Sequence, residues 1–212
     1  VGHPFLDSWH PTKKDNLRKY FNIKNERKII TLFPGSRKQE VNHHLPIFIE
    51  VARLINSSCG NMVQFVLGVA DNVKDHISDM EVPNFIYCEY DNPMYALEAA
   101  DLGVIASGTS TLEACILETP MIVVYKLSLI NWFILSKLVK VPYASIVNII
   151  ANKKVVPEYL QFDATPEKIS STISMLVNDE NLLYRLKKEQ LAVKQKIGNS
   201  GASKKVAKLL LT

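Results

Sequence analysis

The stretch LGVIASGTSTLE, at residues 102–113, decides the fold. Its first five residues form a short apolar run with β-branched side chains, which is typical of a strand buried in a parallel sheet. The run passes through a small, hydroxyl-rich turn into an amphipathic helix that carries Leu112, Cys115 and Ile116. A buried strand that is followed at once by a helix predicts an α/β fold.

The turn has the composition of an anion-binding site. It consists of Ser107, Gly108, Thr109, Ser110 and Thr111. Glycine has no Cβ, so a ligand can approach the backbone closely there, and the first N–H groups of a helix are free to bind a diphosphate. Glu113 lies about one helical turn further on, where its carboxylate can accept hydrogen bonds from a ribose diol. Alternatively, Ser110 and Glu113 form a capping box that only satisfies the backbone at the helix start.

Four further apolar runs, at residues 28–33, 62–67, 84–88 and 121–125, have the length and composition of strands. Segments with helical periodicity separate these runs, and the segment after the first run carries an apolar face formed by Leu45, Phe48, Ile49, Ala52 and Ile55. Strands that alternate with helices form βαβ units, so the sequence predicts a Rossmann-like parallel sheet covered by helices on both faces. Helical patterns continue from Thr165 towards the end of the chain.

A second polar turn, from Pro34 to Gln39, follows the strand at 28–33. Ligands of parallel sheets bind outside the carboxyl ends of the strands, so we expect both turns to lie at the same edge of the sheet, where they can face one site. Gly35, Ser36 and Arg37 are therefore candidate binding residues, and the Arg37 guanidinium can fork onto phosphate oxygens. An exposed arginine at a helix start is the alternative. The lack of a GxGxxG motif after the first strand argues against an ordinary dinucleotide site.

Two later segments have ambiguous patterns. Residues 127–141, which include Trp132, are the most apolar helical candidate. They are too short and too interrupted by lysines to cross a bilayer, which needs about 20 apolar residues, so we expect a core helix or an interfacial surface helix. Asn148 falls in residues 146–152, a stretch that we predict to be irregular, and its side chain serves either a turn or a ligand.

Composition and charge exclude several classes of protein. The 212 residues are 47% hydrophobic and 22% charged, as in an ordinary globular protein. A net charge of +4 suits an anionic substrate or an acidic membrane surface but is too weak to indicate nucleic-acid binding. Three widely spaced cysteines predict reduced, buried thiols in a cytosolic protein. The adjacent His43 and His44 cannot clamp one metal ion, so no metal site is expected.

Seven motifs, taken together, resemble one family. They are VGHPFLD (1–7), PGSRKQE (34–40), ASGTSTLEA (106–114), TPMIVVYK (119–126), VPY (141–143), NIIA (148–151) and VPEYLQ (156–161). In these motifs and their order the chain resembles the lipid-A-disaccharide synthases, which are inverting glycosyltransferases of the two-domain GT-B architecture. The resemblance runs from residue 1 to about residue 161 and is highly specific, because seven motifs recur in order.

The resemblance implies a reaction and a set of roles. The donor would be UDP-2,3-diacylglucosamine, whose sugar passes to 2,3-diacylglucosamine 1-phosphate to give the lipid A disaccharide and UDP. By position, Arg37 would neutralise the diphosphate, the turn from Ser107 to Thr111 would hold it, Glu113 would bind the ribose and Asn148 would line the same cleft. No cofactor is implied. We identify no catalytic residue in this chain, and the proposed base belongs to the family's N-terminal domain.

The resemblance also implies how the chain is organised. Residues 1–160 would form the donor-binding domain, with 1–12 as an interdomain hinge. Residues 161–212 would be helices that pack on an N-terminal domain missing from this chain, or on the partner subunit of a homodimer. The protein would be cytoplasmic and peripheral on the inner face of the bacterial inner membrane. The alternatives are another GT-B enzyme of UDP-sugars, a hexosaminyltransferase or an epimerase, and a nucleotide-binding module without catalysis.

Overall fold

A computed structural model describes residues 3–23, 26–60, 62–129, 131–133, 142–198 and 200–210. It contains a six-stranded sheet formed by β1 (Lys28–Phe33), β2 (Val63–Gly68), β3 (Ile86–Glu89), β4 (Leu102–Ala106), β5 (Met121–Tyr125) and β6 (Glu158–Leu160). The strand order is β3-β2-β1-β4-β5-β6, and every neighbouring pair is parallel. The predicted Rossmann-like parallel sheet is therefore confirmed.

Helices connect and flank the strands. They are α1 (Phe5–Ser8), α2 (Lys14–Tyr20), α3 (Lys38–Cys59), α4 (Lys74–Ser78), α5 (Pro93–Ala99), α6 (Ser110–Ile116), α7 (Ile146–Ala151), α8 (Pro166–Asn178), α9 (Glu180–Ile197) and α10 (Ala202–Leu210). A 3-10 turn at Asp71–Val73 precedes α4. The predicted start of α8 is confirmed, because Thr165 caps the helix by accepting a hydrogen bond from the Lys168 N–H, and a proline occupies the first helical position.

The core lies on both faces of the sheet. All five residues of β4 are buried. Because alternate side chains of a strand point to opposite faces, complete burial requires cover on both sides. The predicted apolar face of α3 is confirmed, since all its members are buried: Leu45, Phe48, Ile49, Ala52 and Ile55.

The helices α8 and α9 contribute to the same core as the strands. α8 packs on α3, while α9 packs on α6, α7 and α8. Gln190 of α9 is fully buried, accepts a hydrogen bond from the Met121 N–H at 3.1 Å and donates one to the Thr119 carbonyl at 2.9 Å. The short helix α10 contacts α1, where Asp7 accepts hydrogen bonds from the backbone N–H groups of Gly201 and Ser203. Packing on a further domain or a partner subunit remains a prediction.

Two elements differ from the expectation. β6 is a short edge strand without a distinctive apolar pattern, and we did not predict it. Residues 146–152 were predicted to be irregular, which is wrong, because residues 146–151 form α7. Its start is capped by Ser145, which accepts a hydrogen bond from the Val147 N–H, and its end is set by Asn152 in the left-handed region. Packing of α7 on α6 and α9 outweighs the low helix propensity of its β-branched residues.

The structure describes only part of the apolar segment 127–141. Residues 129 and 131–133 are helical, and residues 130 and 134–141 lie outside the described part of the chain. Leu129 and Phe133 are 67% and 61% exposed, so the described portion is not a core helix. In the part of the chain that the structure describes, no helix is both long enough and apolar enough to cross a membrane.

Candidate functional site

The two polar turns leave the sheet from neighbouring strands. β1 pairs with β4, with Phe33 in register with Ile105, so the turns begin at the same level. Adjacent strands lie about 4.8 Å apart. The strand order also reverses between β1 and β4, which is where open α/β sheets form a crevice for ligands. The expectation that both turns lie at one edge of the sheet is confirmed.

In the first turn, Gly35 is required by the chain's own packing. Its φ is +116°, in the region that favours glycine, and a Cβ there would lie 2.6 Å from the Cβ of Glu40. Glu40 folds back over the turn, and its Oε2 accepts hydrogen bonds from the N–H groups of Ser36 and Arg37 at 3.0 and 3.3 Å. A carboxylate thus already occupies the backbone donors of this turn.

Arg37 is the residue immediately before α3, and its side chain is 81% exposed. Its Nη1 donates to Glu40 Oε1 at 3.0 Å. An exposed ion pair of this kind contributes at most about 1 kcal/mol, so the guanidinium can turn towards an incoming anion at little cost. The predicted location of Arg37 at the carboxyl edge of β1 agrees with the structure.

Side-chain hydrogen bonds anchor the second turn, while the space around its glycine is open. Ser107 Oγ donates to the Ala144 carbonyl at 2.8 Å, and Thr111, which is fully buried, donates through Oγ1 to the Gly108 carbonyl at 2.7 Å. A Cβ on Gly108 would meet nothing within 4 Å. The backbone N–H groups of Gly108, Thr109 and Ser110 have no hydrogen-bond partner among the residues described.

Glu113 does not act as a capping residue. The residue before α6 is Thr109, in helical conformation and without a side-chain cap, and Ser110 is the first residue of the helix. Burial raises the pKa of the Glu113 carboxyl above its ordinary value, and a hydrogen bond with Ser110 opposes this shift. The Glu113 carboxylate is half-buried and has no backbone partner in the described part of the chain, so it is available to a ligand's hydroxyl groups.

Asn148 is placed differently from the expectation. Its side chain is fully buried in α7, donates to the Val156 carbonyl and to Glu158 Oε1, and accepts from the N–H groups of Val155 and Val156. The amide therefore has both its donors and its acceptor engaged within the protein. Its role in this structure is to hold α7 against the start of β6, so it does not line the cleft.

His44 and Glu40 also lie at this edge, and the sequence did not predict a role for them there. His44 is buried; its Nδ1 lies 3.1 Å from the Pro34 carbonyl and 2.8 Å from the Glu40 carbonyl, and its Nε2 accepts a hydrogen bond from the Lys126 N–H at 3.0 Å. Burial lowers the pKa of the imidazole. Burial, and to a smaller extent the charge of Glu40, raise the pKa of Tyr125 at the end of β5. The spacing of Arg37 and Glu40 resembles a capping box and could have indicated Glu40 from the sequence. No local sequence pattern indicates His44.

A family model for the lipid-A-disaccharide synthetases matches residues 1–210. The chain belongs to this family. It is 36% identical over 231 residues to the lipid-A-disaccharide synthase of Sulfurihydrogenibium sp. (strain YO3AOP1), covering 100% of this chain and 58% of that protein. It is 34% identical over 221 residues to that of Syntrophus aciditrophicus (strain SB), covering 100% of this chain and 56% of the relative. The chain therefore spans a little more than half the length of these lipid-A-disaccharide synthases.

Solved structures agree on the fold. WaaG, a glycosyltransferase involved in lipopolysaccharide biosynthesis, superposes with a TM-score of 0.63 at 13% identity, covering 91% of this chain and 50% of that one. Anabaena Alr3699/HepE, solved in complex with UDP and glucose, gives 0.64 at 13% identity, covering 98% and 54%. Such neighbours are GT-B glycosyltransferases, and the chain has the fold of about half of each of these two structures.

Proposed function

We propose that the chain is the donor-binding half of a lipid-A-disaccharide synthase. It would bind UDP-2,3-diacylglucosamine, whose sugar the whole enzyme passes to 2,3-diacylglucosamine 1-phosphate. The observation that carries this proposal is the pair of polar turns side by side at the β1/β4 edge, one with an exposed arginine and one with N–H groups that donate to no described residue. Family membership supplies the choice of substrate.

The proposed roles follow from the chemistry of the two turns. The Arg37 guanidinium and the N–H groups of Gly108, Thr109 and Ser110 would bind the diphosphate oxygens, and Glu113 would accept hydrogen bonds from the ribose hydroxyls. α6 has only seven residues, so the turn's individual N–H groups, rather than a long helix dipole, would provide the attraction. Asn148 and Thr111 would act only by shaping the site.

The transfer would proceed by displacement at the anomeric carbon. The acceptor hydroxyl oxygen forms the new bond to that carbon, the bond from the carbon to the diphosphate oxygen breaks, and its electron pair leaves with UDP. Arg37 and the turn's N–H groups would stabilise the charge that develops on the departing diphosphate. The hydroxyl proton would pass to a base, which we assign to the part of the enzyme that this chain does not include.

Calorimetry with UDP tests the donor site on the 212-residue chain. Arg37→Ala and Glu113→Ala should each weaken binding by about tenfold or more, as expected for a lost charge-assisted hydrogen bond. Arg53→Ala is the matched control, because Arg53 lies within α3, the helix that Arg37 precedes, is 54% exposed and forms an ion pair with Glu50 at 3.3 Å. Absence of saturable binding, or equal binding by all variants, would refute the donor site.

We further propose that the enzyme is a peripheral protein of the inner face of the bacterial inner membrane and forms a homodimer through its C-terminal helices. Both substrates would carry acyl chains, and the exposed Leu129 and Phe133 lie beside Trp132. Trp132→Ser should reduce flotation with vesicles of phosphatidylethanolamine and phosphatidylglycerol; unchanged flotation would exclude this contact.

The dimer interface has its own test. Removal of α10 should convert a dimer into a monomer in light scattering, and an unchanged mass would exclude that interface.

A further inference from the structure

The His44 imidazole connects the ends of two strands that are not neighbours. Pro34 follows β1 directly and Lys126 follows β5 directly, and β4 lies between these strands in the sheet. The hydrogen bonds of His44 therefore span the end of β4, where the second turn begins. The Ser107 N–H donates to the Val124 carbonyl at 2.8 Å and ties that turn to β5 as well. The ends of three adjacent strands are thus linked at the proposed donor edge.

The hydrogen-bond partners fix the protonation state of the ring. An amide N–H can only donate, so the Lys126 contact requires a lone pair on Nε2. The single proton of the neutral ring then lies on Nδ1, where it faces the Pro34 and Glu40 carbonyl oxygens. The charges of Glu40 and His43, on its own helix, act on the ring, and Lys126 at the end of β5 contacts it through its backbone N–H. A second proton on Nε2 would point at the Lys126 N–H and break the link.

The end of β5 is anchored independently on its other side. Gln161 accepts a hydrogen bond from the Leu127 N–H at 3.0 Å and donates one to the Leu127 carbonyl at 3.1 Å. It does so from a left-handed backbone conformation, with a φ of 44°, which costs a non-glycine residue about 1 kcal/mol or more. The segment that contacts His44 is therefore anchored on both sides, and the hydrogen bonds of His44 tie the turn on the Pro34 side to that anchored segment.

We propose that His44 is a positioning residue for donor binding, which holds the Arg37 turn at a fixed distance from the end of β5. The inference rests on the proposed function, because the turn that His44 restrains is the one that would bind the diphosphate. His44 itself is buried and would not contact the ligand. It acts through the Pro34 carbonyl, one residue before Gly35 and three before Arg37.

Two substitutions cut the link at different ends. In His44→Asn the shorter amide can donate to the Pro34 carbonyl but does not reach the Lys126 N–H. In His44→Gln the longer amide can accept from the Lys126 N–H, but no donor occupies the position of Nδ1 beside the Pro34 carbonyl. Each should weaken UDP binding about fivefold to tenfold at temperatures well below unfolding, as expected for one lost hydrogen bond. His43→Gln, at the neighbouring position, should bind UDP like the parent.

Arg37→Ala provides the test of mechanism. If His44 acts through the Arg37 turn, His44→Asn should change UDP affinity less than twofold in the Arg37→Ala background, since the residue being positioned is gone. Fully additive losses, or unchanged affinity in both folded His44 variants, would overturn the proposal. Amide hydrogen exchange gives a readout without ligand: Lys126 should exchange at least tenfold faster in His44→Asn but remain protected in His44→Gln.

The two proposals can fail separately. A parent chain that binds no UDP would refute the donor site, and the His44 link would then be judged by exchange alone, where unchanged protection of Lys126 in His44→Asn would overturn it. A parent that binds UDP and loses binding in Arg37→Ala, but not in either His44 variant, would refute only the positioning role.

Discussion

At the residue scale, the two glycines of the site have different physical reasons for being glycine. Gly35 has a positive φ and leaves room for the Glu40 side chain, so the packing of the protein itself requires glycine there. Gly108 has no neighbour near the position of a Cβ and no positive φ, so nothing in the described chain requires glycine there. A ligand that approaches the backbone would give a reason for glycine at this position.

This contrast predicts opposite outcomes for two alanine variants. Gly108→Ala should keep the thermal stability of the parent but weaken UDP binding at least tenfold, because the new methyl group occupies the ligand's space. Gly35→Ala should lower the free energy of unfolding by about 1 kcal/mol or more, through its φ and the contact with Glu40. Calorimetry and thermal unfolding of both variants provide the measurement, and UDP binding by Gly108→Ala at parental affinity would contradict the proposed approach of the diphosphate.

The burial of His44 should also make the stability of the fold depend on pH. Burial lowers the pKa of the folded-state imidazole below its ordinary value of 6.5, so below about pH 6.5 the unfolded chain binds more protons than the folded one. The stability contributed by neutral His44 should therefore be complete above that pH and decline as the pH falls through the folded-state pKa. Denaturant unfolding between pH 7.5 and pH 5 should show a shallower decline for His44→Asn than for the parent. His43→Gln should keep the parental slope, and equal slopes in all three proteins would contradict the argument.

At the element scale, Asn148 and Glu158 fix α7 to β6. Glu158 accepts hydrogen bonds from the N–H groups of Ala144 and Ser145 at 3.2 and 2.7 Å and from Asn148 at 2.8 Å. The Ala144 carbonyl in turn accepts from Ser107, so this network also supports the second turn. The network therefore joins the buried Asn148 and the partly buried Glu158 to the support of the second turn.

Asn148→Ala should therefore lower the free energy of unfolding by about 3 kcal/mol, because it leaves buried backbone groups and part of the Glu158 carboxylate without partners. Asn181→Ala, at an exposed position of α9, should change stability by less than about 0.5 kcal/mol. Denaturant unfolding measures both. If Asn148→Ala kept its stability and lost only UDP binding, a direct ligand role for Asn148 would be restored.

At the scale of the whole molecule, α9 is part of the fold rather than an appendage. It covers Cys115 of α6, whose Sγ donates to the Gln190 carbonyl at 3.4 Å, and burial raises the pKa of that thiol to about 12. The three cysteines are free, as predicted, but only Cys115 is fully buried, while Cys59 and Cys88 are half-buried.

Cys115 should consequently react with a maleimide only when the whole chain unfolds. In a Cys59→Ser/Cys88→Ser variant, the labelling rate across a denaturant series should follow the global unfolding curve measured by circular dichroism. The parent, which retains the half-buried Cys59, should label in native buffer. Rapid native labelling of Cys115 would show that α9 detaches on its own and would contradict its place in the core.

The sequence by itself determined the elements whose own residue types indicate whether the backbone is buried or turns. β1, β4 and β5 were predicted with the bounds that the structure gives, because long buried strands need continuous apolar runs. The turns at Gly35 and Gly108 and the buried face of α3 followed from composition and periodicity in the same way. These signals are local, so they can be read without the fold.

Only the tertiary structure decided the rest. It assigned Asn148 to a buried network and Glu40 to the donors of the first turn, and it joined His44 to Lys126, which is 82 residues away in sequence. A short edge strand such as β6 and a helix such as α7 exist because neighbouring elements complete their hydrogen bonds and cover their faces. The polar partners of a buried side chain are the distant backbone groups that the folded chain brings within about 3 Å of it. No local sequence pattern encodes that proximity.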